Sequence, residues 1–218
     1  MLPIEPPPSR FQMPSPLRAS PEGLLAAGGD LEPGTILAAY RRGIFPWPDG
    51  SGRVLWWSPD PRAILPLDGF HQSRSLKRLR RRGHLTVTAD RACPDVIRAC
   101  GERAEGTWIT DQMYDAYVRL HALGWVHSIE VWEDANLVGG VYGVAIGGFY
   151  AAESMFHRVN DASKVAVAAL VERLAAHGFT LLDVQFQTEH LATLGVVETR
   201  RVTYLRHLRD ATAVAATF

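Results

Sequence analysis

The sequence predicts an α/β (α+β) protein in two units. The first is a small, loop-rich α+β unit over residues 1–65; the second, over 66–218, is built on a mixed sheet. Three observations carry this. A run of strand-like segments between 128 and 156 is broken by glycine pairs, which reads as a meander. One amphipathic helix and one last strand follow it, so that strand cannot be reached by a hairpin and is expected to pair in parallel. The first 65 residues are rich in Pro and Gly, and two prolines in four residues (Pro59, Pro61) end their strand. At 218 residues, 47% apolar and 21% charged, the chain can bury a full core.

Residues 1–21, with their prolines, form an extended arm. A helix follows Pro33 through Ile36–Tyr40 and stops at Gly43. The segment Gly43–Pro48 reads as a turn-forming loop, and Val54–Trp57 as a strand. A basic helix over Ser73–Arg82 leads to the strand Leu85–Thr88, then to helices around 91–103 and 111–122. Strands are expected at 128–132, 137–142 and 148–156. Asp161 caps a helix whose Val167, Leu170, Val171 and Leu174 recur with helical spacing. The strand Thr180–Phe186 closes the set.

Net charge is zero, but Arg41 to Arg103 holds 13 Lys/Arg against 6 Asp/Glu. A basic face of this kind attracts a polyanion. Cys93 and Cys100 on one helix lie about 10 Å apart, too far for a disulfide. No Cys/His spacing suits zinc, and no glycine run suits a phosphate loop, so no metal and no cofactor is expected. The N-terminus lacks the pattern of a signal peptide, which suits a cytoplasmic protein. The uncharged stretch Ala135–Ala152 holds five glycines and fits strands and turns rather than a membrane span.

Two features point to chemistry. Asp183 and Gln185 stand two apart in an apolar strand, and Glu153 lies inside another. A carboxylate in such surroundings needs a partner or shifts its pKa. Alternation puts Asp183, Gln185 and Gln187 on one face and Val184 and Phe186 on the other. The second feature is a run of six cations in nine residues. Arg74, Lys77, Arg78 and Arg81 form one helical stripe with no acid in the run, which fits phosphate contact. A solvated surface helix is the bland alternative.

Several strings, read in order, carry a resemblance. They include Gly28-Gly29-Asp30-Leu31, Gly43-Ile44-Phe45-Pro46-Trp47, Trp56-Trp57-Ser58-Pro59-Asp60-Pro61-Arg62 and Ser73-Arg74-Ser75-Leu76-Lys77-Arg78. Further on come Gly106-Thr107-Trp108-Ile109-Thr110, His127-Ser128-Ile129-Glu130, Glu153-Ser154-Met155-Phe156, Asp161-Ala162-Ser163-Lys164 and Leu182-Asp183-Val184-Gln185. Together they resemble the bacterial leucyl/phenylalanyl-tRNA–protein transferases, from about Pro14 to about Leu208. Ala152, His157 and Val184 depart from that family's usual glycine, serine and cysteine.

The resemblance implies a second domain similar to the N-acetyltransferases, with a splayed sheet. It also implies transfer of leucine or phenylalanine, and methionine less well, from aminoacyl-tRNA to the N-terminal amine of proteins beginning with Arg or Lys. That addition marks the acceptor for degradation. The partners are then aminoacyl-tRNA and the acceptor protein, and the enzyme is expected to be a monomer without membrane contact.

On this reading Asp183 orients the attacking amine and accepts or relays its proton, or only orients it, Gln185 aligns the ester or amine, and Glu153 holds the cationic acceptor terminus. Val141, Tyr150, Met155, Val167, Leu170, Leu174 and Leu182 would line the aminoacyl pocket, though each also suits ordinary core. Trp47, Trp108 and Tyr117 are candidates to stack on the terminal adenosine, and the stripe would contact the acceptor stem. Two alternatives stand beside this: a coenzyme A-dependent acetyltransferase, for which residues 159–163 supply no pyrophosphate loop, and a non-catalytic RNA-binding module.

Overall fold

The computed structural model describes residues 2–49, 51–102 and 106–218. The proline-rich start runs without helix or strand to a 3-10 turn at Pro16–Arg18. It is tied down by Ile4 N–H to the Leu123 carbonyl (2.8 Å), by Trp125 Nε1–H to the Ile4 carbonyl (2.7 Å) and by a two-pronged Arg41–Glu5 pair.

The first unit holds β1 (Leu24–Ala27), α1 (Pro33–Tyr40), β2 (Phe45–Pro48) and β3 (Val54–Trp57), with the antiparallel strand order β1-β3-β2. Proline fits the first turn of α1 because that N–H has no helical acceptor. The segment expected to be a loop is instead the strand β2. Its two prolines are tolerated because β2 lies at the sheet edge, where a missing N–H breaks no ladder.

The chain then builds β4 (Arg62–Ile64), α2 (Arg74–Arg82), β5 (Leu85–Ala89), α3 (Cys93–Gly101) and α4 (Asp111–Ala122). The end expected at residue 103 for the third helix lies outside the described residues. A meander follows: β6 (Val126–Glu133), β7 (Asn136–Ile146) and β8 (Phe149–His157). Next come α5 (Ala162–Ala176), β9 (Leu181–Gln185), α6 (Glu189–Ala192), β10 (Val197–Thr199) and α7 (Arg201–Thr212). The seven strands lie in the order β10-β4-β9-β8-β7-β6-β5. β9 pairs with β8 in parallel, as the intervening helix requires, and the other neighbours are antiparallel.

Each face of the sheet is covered. On one side α5 packs on Ile129, Val131, Val141, Tyr150 and Leu182. On the other, α3, α4 and α7 share a continuous core with α1 and β3 of the first unit. Gly139 lets α5 approach closely, since a Cβ there would meet the Ala162 Cβ at 2.7 Å. Cys93 and Cys100 are buried and form no disulfide.

Candidate active site

The parallel seam between β8 and β9 is where the sheet opens. Their register runs Phe149↔Leu181, Tyr150↔Leu182 and Ala151↔Asp183, and then stops, although β8 continues to His157. The strands diverge at the level of Glu153 and Gln185. Those two side chains face each other across the opening, with Gln185 Nε2 3.4 Å from Glu153 Oε1.

Gln185 sits in the left-handed region, φ 60°, which a residue with a Cβ seldom occupies without support. The support is Asp183, whose Oδ1 accepts the Gln185 backbone N–H at 3.0 Å. This turn breaks the strand alternation expected from the sequence. Val184, Gln185 and Phe186 all line one cavity, and Asp183 points away from it.

The structure therefore corrects the role expected for Asp183. Its side chain has no exposed surface. It accepts Arg62 Nε–H at 2.9 Å, an Arg62 terminal N–H at 2.6 Å and the Tyr204 hydroxyl at 2.8 Å, besides Gln185 N–H. A carboxylate so engaged cannot reach an amine in the cavity; it holds the turn that presents Gln185. Arg62, buried on β4, lies between the rings of Phe45 (4.7 Å) and Tyr204 (4.6 Å) and donates to the Gly43 carbonyl. Burial opposes its charge, and Asp183 more than restores it, so its pKa is raised. Sequence reading missed this partner, and an arginine in the short strand β4 was its one local signal.

Glu153 does face the cavity. It keeps some surface open to it while its carboxyl lies away from bulk water, and burial raises its pKa to about 7. Hydrogen bonds from Tyr40 and Tyr117 act in the opposite direction. Tyr117 donates to Glu153 Oε2 at 3.0 Å, and its oxygen lies 2.7 Å from that of Tyr40, both rings being buried. Tyr117 is thus a support beneath Glu153, with no face free for a nucleobase.

The cavity measures about 390 Å³. Of the expected pocket residues, Val141, Met155, Val167, Leu170 and Leu182 line it, joined by Leu65, Ala152 and Leu191. Tyr150 and Leu174 lie in the same core but outside its wall; Tyr150 spends its hydroxyl on the His127 carbonyl. Trp47, Trp108 and Phe186 also line the cavity, Trp47 lying 5.5 Å from Trp108 and 5.7 Å from Phe186. Trp47 and Phe186 are exposed, so their rings offer apolar faces to an entering planar group.

Helix α2 starts at Ser73, which accepts the Leu76 N–H, and buries Leu76. Arg74, Lys77, Arg78 and Arg81 are exposed, and no ion pair involves them among the described residues. Arg80 is different: α5 supplies it an acid, Glu172, at 2.5 Å. The balancing acid was invisible in the run itself because it comes from 92 residues further on. Among the described residues no cluster of His, Cys, Asp or Glu could hold a metal ion, and no helix is long and apolar enough to cross a membrane.

A mixed sheet that opens at its parallel seam onto an apolar cavity with a perturbed carboxyl on its wall has the features of an active site. Comparison with known proteins makes this specific. A family model described as leucyl/phenylalanyl-tRNA protein transferase matches residues 64–209, and the model for that family's N-terminal domain matches residues 29–60. A leucyl/phenylalanyl-tRNA–protein transferase of Pseudoalteromonas atlantica is 48% identical over 204 residues, 92% of this chain and 87% of its own length. One from Chromohalobacter salexigens is 55% identical over 192 residues, 86% of this chain and 75% of its own. Among solved structures, L-PGS from Bacillus licheniformis is similar at 10% identity with a TM-score of 0.44, over 70% of this chain and 65% of its own. The chain belongs to the leucyl/phenylalanyl-tRNA–protein transferase family, and it is an aminoacyltransferase that moves leucine or phenylalanine from tRNA to protein.

Proposed function

We propose that the acceptors are proteins whose first residue is Arg or Lys, that methionine is transferred less well than leucine or phenylalanine, and that the protein works as a cytoplasmic monomer. The observation that carries the site assignment is Glu153, a carboxyl with pKa near 7 placed on the wall of an apolar cavity.

The aminoacyl side chain occupies the cavity between Val141, Met155 and Leu170, with the adenine against Trp47 and Trp108. Such a pocket discriminates among leucine, phenylalanine and methionine by only about 1–3 kcal/mol. The acceptor's α-amine, of ordinary pKa about 7.7–8, meets Glu153, whose carboxylate holds the ammonium and takes its proton. The close match of the two pKa values keeps that transfer nearly balanced. The amine nitrogen then attacks the ester carbonyl; the C–N bond forms and the C–O bond breaks. The leaving ribose oxygen receives the proton that the attacking nitrogen sheds as the amide forms. Gln185 donates its amide N–H toward the developing oxyanion, held in place by Asp183, and the ester's own reactivity leaves positioning as the main task. Arg74, Lys77, Arg78 and Arg81 contact the acceptor stem through its phosphates, without reading bases.

The test is a peptide panel differing only at residue one, with leucyl-tRNA as donor. Arg- and Lys-first peptides should be used and Glu-first peptides refused. Equal use of all three would overturn the acceptor assignment.

A further inference from the structure

A second cleft, of about 670 Å³, adjoins the aminoacyl cavity. The two share Met155: residues Ala152 to Met155 of β8 line the first, and Met155 to Arg158 line the second. Helix α5 opens into this second cleft. Its cap position, Asp161, has φ 63° and its side chain accepts no backbone N–H of the helix. The backbone N–H groups of Ser163 and Lys164 have no backbone acceptor among the described residues. Ser163 is only 5% exposed, lines the cleft, and its hydroxyl has no partner among the described residues. This hydroxyl opens to the cleft beside two N–H groups that lack a backbone acceptor, at the start of a 15-residue helix, and the three together can donate to an anion.

The charges agree with that reading. Both acids in the lining are already engaged, Asp161 by Lys164 (2.8 Å) and Glu102 by Arg158 (3.1 Å). His157 and His190 complete the wall. The pKa of His190 is lowered by burial and then by Lys164 and His157, against a smaller opposing pull from Asp161. Among the described residues the lining therefore holds no unpaired acid that would repel an anion.

We propose that this cleft is a phosphate subsite for the donor. Ser163, the free N–H groups of α5 and Lys164 hold the phosphodiester that joins the aminoacylated nucleoside to the rest of the tRNA. The inference rests on the aminoacyl-transfer reading, because β8 leads directly from the aminoacyl cavity into the cleft. A donor bound at Met155 has its nearest phosphate within a nucleoside's length, and the strand advances about 3.3 Å per residue toward Arg158.

Two donors separate the possibilities: phenylalanyl-adenosine, which has no phosphate, and the phenylalanyl ester of cytidylyl-adenosine, which has one. Ser163→Ala should raise KM for the dinucleotide donor by about tenfold, the effect of removing one hydrogen bond to a charged group. Ser163→Asp, whose carboxylate takes the free N–H groups itself, should raise it further. Neither should change kcat, nor either constant for phenylalanyl-adenosine, whose use also reports that each variant is folded. Should Ser163→Asp not fold, the smaller Ser163→Ala change still decides. Unchanged KM for the dinucleotide, or equal rises for both donors, would overturn the phosphate subsite alone. A wild-type enzyme that used neither donor would overturn the transfer reading and this inference with it.

Discussion

Asp183→Asn tests the architecture of the seam more sharply than any other substitution. The change keeps the size of the side chain and removes its charge. In the folded protein Arg62 would remain buried between Phe45 and Tyr204, facing an amide in place of a carboxylate. Removing one partner from a buried ion pair costs about 3–5 kcal/mol, since the other charge stays desolvated. For a chain of this size each kcal/mol shifts Tm by about 2–4 °C, so a fall on the order of 6–20 °C is expected. Calorimetry of the wild type and the variant measures it directly. Arg62→Met/Asp183→Leu, which removes both charges, should recover much of that stability. Activity, measured well below both transitions, should drop in kcat because Gln185 N–H is left without its carboxylate acceptor. The Gln185→Ala effect should not add to it, both changes disturbing one geometry. A Tm within about 1 °C of wild type would refute the view that Asp183 anchors the seam through Arg62.

The other predictions concern Glu153, the cavity and the stripe. With a folded pKa near 7 against about 4.3 unfolded, Glu153 binds more protons in the folded state between those values. Its contribution to stability is therefore present at low pH and disappears as pH rises toward 7. Glu153→Gln should remove that dependence, gaining stability relative to wild type above pH 7, and should abolish the rise of kcat/KM through pH 7; parallel pH profiles for both proteins would contradict it. Val141→Phe should narrow the cavity and raise KM for phenylalanyl donors more than for leucyl donors, by about tenfold if overpacking costs about 1–3 kcal/mol; steady-state kinetics with both donors checks this. Replacing Arg74, Lys77, Arg78 and Arg81 by Ala should raise KM for aminoacyl-tRNA and lower its log–log salt slope by about 0.9 for each phosphate no longer neutralised, while use of phenylalanyl-adenosine stays unchanged.

Much of the fold was legible in local pattern. The meander, the helix after Asp161 and the parallel return of β9 follow from glycine breaks, helical spacing and chain connectivity. What escaped was short or decided at a distance. β4 and β10 have three residues each, too few to show alternation. β2 reads as a loop because an edge position, which excuses its prolines, is a property of the sheet. α7 was missed although Arg201, Tyr204, Leu208 and Ala211 are its buried positions, a helical spacing that was there to read. At the site, the meeting of Glu153 with Gln185 was readable from acids and amides in apolar strands. The inversion of Asp183 was not, because it depends on the positive φ of Gln185 and on an arginine 121 residues away. Tyr117 was misread for a similar reason: an aromatic in a helix shows no sign of which buried carboxyl will claim its hydroxyl.

Transfer itself is the most direct test. Leucyl-tRNA carrying labelled leucine, incubated with this protein and a peptide beginning with arginine, should yield a peptide one leucine longer. Mass spectrometry should place the label on the N-terminal α-amine, and Glu153→Gln should reduce the yield. Free labelled leucine with no extended peptide, or label on a lysine side chain, would contradict the account.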